Sequence, residues 1–316
     1  MKIGFIFPGQ GAQSVGMCKD LYDEYEEVRK VYKKASDILD IDMAKLTFET
    51  SEDELGKTKN TQIAILVMSL AILELLKNRG IEAEEVAGLS LGEYTALIYA
   101  GFISFNEGLK LVQKRGEFMQ KYVPKGIWSM AAVMGLEDEQ VEAVCNKAQN
   151  KGFVVPANYN CPKQLTISGE KEAVEYAMEL AKENGARKIR ELKTSGPFHT
   201  QKLQTAAIKL KEELNDINIS YKNGIKVIKN IDAKEYTENT NIKDNLAEHI
   251  THPVRFKESI QKMIEDGVDT FIEVGPGKVL SGFIKKIDNS VKILHINNVE
   301  SLEQTISELK SDQSDQ

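Results

Sequence analysis

Short apolar runs alternate along this chain with longer stretches in which apolar residues recur at helical spacing. Residues 2–7 are a run of apolar positions stopped by Pro8, which predicts a short buried strand. Residues 20–39 are polar with helical spacing and read as one helix. In residues 61–79 Ile63, Leu66, Val67, Leu70, Leu73 and Leu76 share one side, so this segment is expected to be a helix packed on a sheet. Glu85-Val86-Ala87 fits a strand end, and residues 93–100 a helix that stops at Gly101. Ser104-Phe105-Asn106-Glu107 is a capping box for a helix running to about residue 122.

From Gly126 the pattern changes. Strand-like 126–134, helical 137–148, strand-like 154–160 and 164–169, helical 170–184 and strand-like 187–192 give the order β-α-β-β-α-β. That order is the ferredoxin-like split unit, and it predicts a small inserted domain over residues 125–194. After it, a helix is expected to open at His199 and run to about residue 215. Further strands are expected at 226–228 and 270–274, with helices at 242–249 and 256–266. The polar tail 311–316 reads as disordered. The rest, 1–124 with 195–316, reads as one larger α/β unit.

Chemistry concentrates at Gly88-Leu89-Ser90-Leu91-Gly92-Glu93-Tyr94, which contains the Gly-x-Ser-x-Gly of a nucleophile elbow. Gly and Ser are common in turns, but here the motif sits between an expected strand and an expected helix, the setting the elbow needs. A sharp turn there lifts the Ser90 hydroxyl toward a substrate. The N–H of Leu91 opens the helix and points where an oxyanion would form. Pro8-Gly9-Gln10-Gly11 is a glycine-rich loop ending the first strand. By itself it is a turn; at the same sheet edge as Ser90 it supplies a second oxyanion donor.

Arg115 falls on the apolar stripe of its helix, with Leu111 and Met119 as i−4 and i+4 neighbours, so no local carboxylate pairs with it. Leaving a buried charge unpaired costs about 3–5 kcal/mol. Either a distant Asp or Glu meets it, or its partner is a carboxylate on the substrate, which the guanidinium fork matches bidentately. Of four histidines, His199 lies in the tight Gly196-Pro197-Phe198-His199 loop and is the candidate base for Ser90. His249 and His252 have a metal-like spacing without a third ligand, and no metal is expected. Glu273-Val274-Gly275-Pro276-Gly277-Lys278 is a strand-to-helix turn that lacks the full phosphate-loop pattern.

Composition narrows the class. The net charge of −7 over 316 residues argues against a general nucleic-acid surface. Three cysteines, Cys18, Cys145 and Cys161, fit neither a disulfide framework nor a zinc site, and point to a reducing compartment. The longest apolar run, 63–76, is broken by Ser69 and Glu74 and reads as a buried helix, not a membrane span. A cytoplasmic monomer that engages no membrane is the expectation.

Taken together, these motifs resemble the malonyl-CoA:acyl carrier protein transacylases and the acyltransferase domains of polyketide synthases. The matching stretches are Phe7-Pro8-Gly9-Gln10-Gly11, the Ser90 elbow, Arg115-Gly116-Glu117-Phe118-Met119-Gln120, Asn158-Tyr159-Asn160-Cys161-Pro162, Gly196-Pro197-Phe198-His199 and the turn from Glu273 to Lys278. The resemblance implies an α/β fold: a hydrolase-like core with a mostly parallel sheet and an inserted ferredoxin-like βαββαβ subdomain. It implies Ser90 as nucleophile, His199 as base, and the N–H groups of Gln10 and Leu91 as oxyanion hole. It implies Arg115, Phe198, Asn160 and His249 as substrate-site residues, with Arg115 on the malonyl carboxylate and Phe198 crowding any α-methyl group. The carbonyl of residue 249, in place of an Asp, would orient His199. Leu89 and His249 depart from the commonest pattern, which has His and Gln there. The partners implied are malonyl-CoA and acyl carrier protein, with no cofactor, since the coenzyme A thioester is a substrate. Acyl carrier proteins are acidic, so Lys285 and Lys286 are candidate docking residues, with Arg187, Lys188 and Arg190 as a second patch. An acyl hydrolase, an acyltransferase serving a polyketide synthase and a non-catalytic carrier-binding module are the competing readings.

Overall fold

A computed structural model describes residues 1–314, and side chains through residue 311. β1 (Ile3–Phe7) is buried at every position, as a strand covered on both faces must be. It is followed by α1 (Lys19–Glu24), α2 (Glu26–Leu39), α3 (Met43–Phe48), α4 (Glu52–Leu55) and α5 (Thr58–Lys77). The single helix expected over 20–39 is broken at Tyr25, whose extended φ of −108° and ψ of 123° separate α1 from α2. The two short helices α3 and α4 carry no long apolar period and were not expected; each starts at a side-chain cap, Asp42 and Ser51. α5 is buried on nearly all sides because α2, α6 (Gly92–Tyr99) and α7 (Phe105–Lys121) pack around it. It is the only helix among the described residues long and apolar enough to cross a membrane, and 89% of that window is buried inside the protein. Its apolarity is thereby explained by the core.

β2 (Glu85–Gly88) pairs in parallel with β1, in register Phe7 to Gly88, just before Ser90. After α7 the chain builds β3 (Trp128–Met134), α8 (Asp138–Ala148), β4 (Val154–Cys161), β5 (Gln164–Glu170), α9 (Lys171–Glu183) and β6 (Lys188–Leu192). These four strands form a separate sheet of order β4-β5-β3-β6 with antiparallel neighbours, the ferredoxin-like arrangement. Its core is its own: Val133, Val144, Leu165 and Ile167 cluster with Ala177 and Leu180. Its strands also meet the neighbouring cores: Met130, Ala157 and Leu192 pack on the cluster around α5, Cys161 joins the cluster of Val254 and Phe256, and along β4 Tyr159 N–H donates to the Val254 carbonyl at 2.8 Å and Val254 N–H to that of Ala157 at 2.9 Å.

The chain then adds α10 (Gln204–Asn215), β7 (Lys226–Val227), α11 (Ile242–His249), α12 (Phe256–Glu265), β8 (Thr270–Val274), α13 (Val279–Ile287), β9 (Lys292–Ile296) and α14 (Val299–Ser314). The large sheet has the order β7-β2-β1-β8-β9, and every pair in it is parallel. Two expectations are corrected here. His199 does not open a helix: α10 starts at Gln204, after a single 3₁₀ turn, because His199 itself is left-handed. Residues 311–314 continue α14 and are not a disordered tail; residues 315–316 lie outside the described residues. The strand-end loops after β1, β2, β7 and β8 emerge on one sheet edge, where open parallel sheets hold their ligands.

Candidate active site

The elbow forms because the backbone has been cleared of side chains where β2 turns into α6. A Cβ at Gly92 would lie 2.1 Å from the Phe7 carbonyl oxygen, and one at Gly88 2.0 Å from the Gly92 carbonyl carbon. Only glycines let β1, β2 and α6 approach this closely. Ser90 pays for the bend with a φ of +54°, a conformation that costs a residue with a Cβ roughly 1–2 kcal/mol. The bend is held by Asn230, beyond β7: the Ser90 N–H donates to Asn230 Oδ1 at 2.7 Å, and Asn230 Nδ2 donates to the Gly88 carbonyl at 2.6 Å.

The turn after residue 195 brings the imidazole of His199 to this hydroxyl. Ser90 Oγ and His199 Nε2 are 2.8 Å apart. On the other side of the ring, Nδ1 faces the carbonyls of His249 at 3.1 Å and His252 at 3.2 Å. A nitrogen facing two carbonyls carries the proton, so Nε2 is left as the acceptor of the Ser90 proton. No carboxylate is needed to set the tautomer. Burial, and after it the Arg115 charge, push the imidazole down to about 4, so it is neutral near pH 7 and free to take a proton. His199, like Ser90, is left-handed, with φ at +58°.

Arg115 completes the cluster. It is 1% exposed; Nη1 donates to Gln62 Oε1 at 2.7 Å and Nη2 to Ser90 Oγ at 3.2 Å. Gly116 lets α7 close on α5 here, since a Cβ at that position would lie 2.8 Å from Lys59 Cα. The Arg115 side chain also stacks on an aromatic ring: its guanidinium carbon lies 5.1 Å from the centre of the Tyr94 ring. No carboxylate lies within ion-pair distance of Arg115 among the described residues, and its Nε has no hydrogen-bond partner. The distant Asp or Glu partner allowed by the sequence is absent there, and burial pulls the guanidinium below its ordinary range. A serine hydroxyl, a neutral imidazole and an unpaired buried guanidinium thus share one site.

The family model described as acyl transferase domain matches residues 4–315. The chain belongs to the acyl transferase family. This acyl transferase is 45% identical over 312 residues to the malonyl CoA-acyl carrier protein transacylase of Bacillus subtilis strain 168, covering 98% of each chain. Among solved structures it is similar to the malonyl CoA-acyl carrier protein transacylase of Clostridium perfringens, with a TM-score of 0.95, 48% identity and 99% of each chain covered. It is also similar to a malonyl-transacylase solved in complex with a type II polyketide synthase acyl-carrier protein, with a TM-score of 0.93, 36% identity, and 98% and 100% of the two chains covered. The resemblance drawn from the motifs therefore holds over nearly the whole chain.

The remaining expected site residues of the acyl transferase fall as follows. The backbone N–H groups of Gln10 and Leu91 have no acceptor among the described residues, and the Gly9–Gln10 loop touches the elbow: a Gly9 Cβ would lie 3.7 Å from that of Ser90. Phe198 is buried beside His199. The His249 side chain is buried and neither ring nitrogen has a hydrogen-bond partner; its carbonyl does the orienting. Asn160 is buried on β4, where its amide donates to Thr166 Oγ1 at 3.2 Å, and no hydrogen bond joins it to Ser90, His199 or Arg115. Lys285 and Lys286 are exposed near the end of α13, with Lys286 bonded to Gln164 at 2.9 Å. Arg187, Lys188 and Arg190 lie at or on exposed edge strand β6, where charge also protects the edge from pairing. The Glu273 carboxylate caps the start of α13, accepting from the N–H groups of Leu280 and Ser281, so an anion already fills the place a phosphate would take.

Sequence reasoning missed Gln62, Asn230 and Glu93. Gln62 had a signal: it is a polar residue at the start of an apolar helix and is 1% exposed. Asn230 had none, since it lies 140 positions from Ser90.

Proposed function

We propose that this acyl transferase moves a malonyl group from malonyl-CoA to the phosphopantetheine thiol of acyl carrier protein through a malonyl-Ser90 intermediate. The observation that carries the substrate class is Arg115: a buried cation, 3.2 Å from the nucleophile, with no carboxylate partner among the described residues. A dicarboxylic acyl group brings the missing anion; an acetyl group leaves the charge stranded. The names of its relatives, malonyl CoA-acyl carrier protein transacylases, support the same donor and acceptor.

Ser90 Oγ attacks the thioester carbon while its proton passes to His199 Nε2. The oxyanion faces the N–H groups of Gln10 and Leu91, each such donor being typically worth on the order of 10²–10³ in rate. The carbon–sulfur bond breaks, and the imidazolium returns its proton to the departing coenzyme A sulfur. In the second half the carrier thiol gives its proton to His199 and its sulfur attacks malonyl-Ser90; the bond from the acyl carbon to Ser90 Oγ breaks, and His199 returns the proton to Ser90 Oγ. The order of events is ping-pong. The reaction needs no metal or cofactor, and the proposed acting unit is a cytoplasmic monomer, with Phe198 and Asn160 shaping the acyl pocket and Lys285 and Lys286 receiving the carrier protein.

Intact-protein mass spectrometry after mixing with malonyl-CoA tests this. One malonyl group is expected on the wild type and none on Ser90→Ala, with discharge only when a carrier thiol is added. Rapid discharge into water alone would make the enzyme a hydrolase instead.

A further inference from the structure

Glu93 stands three residues after the nucleophile, on the first turn of α6, and is fully buried. One carboxylate oxygen accepts the Asn230 N–H at 2.9 Å. The other accepts from the Tyr236 hydroxyl and, at 3.2 Å, from Asn245 Nδ2. Each contact leads back to the reacting groups. Asn230 holds the Ser90 N–H and the Gly88 carbonyl. Asn245 lies on α11, one turn before His249, whose carbonyl holds His199. The His249 ring lies beside Glu93, Nδ1 at 3.8 Å from Oε2, without a hydrogen bond between them. Both dyad members adopt the left-handed backbone, which persists only where surrounding contacts over-determine it. Arg115 is anchored outside this set by Gln62, and meets it only at the Ser90 hydroxyl.

We propose that Glu93 is a positioning residue shared by the nucleophile and its base: through Asn230 it sets Ser90, and through Tyr236, Asn245 and α11 it sets His199. Three donors converging on one buried carboxylate match an acceptor-only group, and an amide in its place must turn a donor toward at least one of them. The charged and titratable groups around it are Arg115 from α7, Tyr94 on its own helix, Tyr236, and His249 with His199 behind it. Glu93 makes no ion-pair contact with Arg115 and acts on it only weakly, through the interior, so the guanidinium fork stays open.

The inference rests on the acyl-transfer reading, so the test has an arm that does not. Malonyl transfer and labelling of Ser90 by a small fluorophosphonate are measured per folded enzyme for Glu93→Gln, Asn230→Ala, Tyr236→Phe and the Asn230→Ala/Tyr236→Phe pair, with the two single variants and the pair also made on the Glu93→Gln background. Glu93→Gln is expected to lower both kcat and labelling by roughly 10–100-fold, because a displacement near 1 Å can cost about 10²-fold. The KM for malonyl-CoA should stay within about threefold, since the Arg115 clamp is anchored elsewhere; a general structural defect would not give that split. Asn230→Ala and Tyr236→Phe should be non-additive with Glu93 present and additive once Glu93→Gln is in place. Unchanged kcat and labelling in folded Glu93→Gln, or additivity of the two partners in the presence of Glu93, overturns the proposal. If Glu93→Gln does not fold, the cycle on the wild-type background decides. A wild type that labels but transfers no malonyl group refutes the substrate reading and leaves the positioning role to be judged by labelling.

Discussion

Arg115→Met separates function from stability in opposite directions. The side chain is 1% exposed, and among the described residues its hydrogen bonds are only to Gln62 and Ser90 and no carboxylate pairs with it. In the free enzyme the cation is therefore a stability cost, of several kcal/mol for a desolvated charge. Methionine fills a similar volume without it. The loss is one acceptor, Gln62 Oε1, worth about 1 kcal/mol if left unsatisfied. The net expectation is a protein more stable by about 1–3 kcal/mol, seen as a higher urea midpoint with unchanged m-value. With malonyl-CoA the balance reverses. The substrate carboxylate enters a buried site with no partner, a penalty of about 3–5 kcal/mol, or roughly 10²–10³·⁵ in kcat/KM. Acetyl-CoA, which needs no cation, should lose nothing or gain. Stopped-flow acylation with the two thioesters, beside urea unfolding of the same preparation, checks both halves. A variant that is less stable by about 2 kcal/mol or more would show Arg115 to be a structural cation, and one that still strongly prefers malonyl-CoA would show that the clamp lies elsewhere.

Three further outcomes follow from particular contacts. His199 titrates near 6.5 when unfolded and at about 4 when folded, so between these values the unfolded chain binds more protons and stability rises with pH; the contribution is complete above about 6.5 and lost as pH falls to about 4. Its size is about 3 kcal/mol, so urea unfolding of wild type and His199→Ala should diverge by that much between about pH 7 and pH 4.5; parallel profiles would contradict it. Glu93, raised to about 7 by burial, acts with the opposite sign but is common to both proteins and cancels in the comparison. Gly92→Ala puts a Cβ 2.1 Å from the Phe7 carbonyl oxygen and should lose about 3 kcal/mol, together with Ser90 labelling; wild-type stability would mean β1 can yield there. Lys285→Glu with Lys286→Glu should raise the KM for carrier protein and flatten its salt dependence while sparing acylation by malonyl-CoA; equal loss in both half-reactions would place docking elsewhere.

The local devices were legible because each is written within a few residues. Period and capping disclosed α5 and α7, and the βαββαβ order disclosed the second sheet. Gly88-Leu89-Ser90-Leu91-Gly92 announced the elbow, and an arginine on an apolar stripe announced a buried cation. What had no local signature was misread. The break at Tyr25 is a backbone choice inside a stretch of uniform helical spacing. The left-handed turn at His199 is imposed by the carbonyls it must reach from α11 and the loop after it.

Sequence by itself thus determined which side chains could do chemistry, since a nucleophile, a base and a cation are properties of residue types. Whether they meet is a property of the sheet. Parallel order β7-β2-β1-β8-β9 carries Gln10, Ser90 and Asn230 to one edge, though 140 positions separate the last two. The tertiary structure alone decided that Arg115 has no carboxylate at ion-pair distance among the described residues and that Asn230, itself bonded to Glu93, holds the Ser90 turn. Burial and partnership arise from contacts between distant segments, and no period along the chain encodes them.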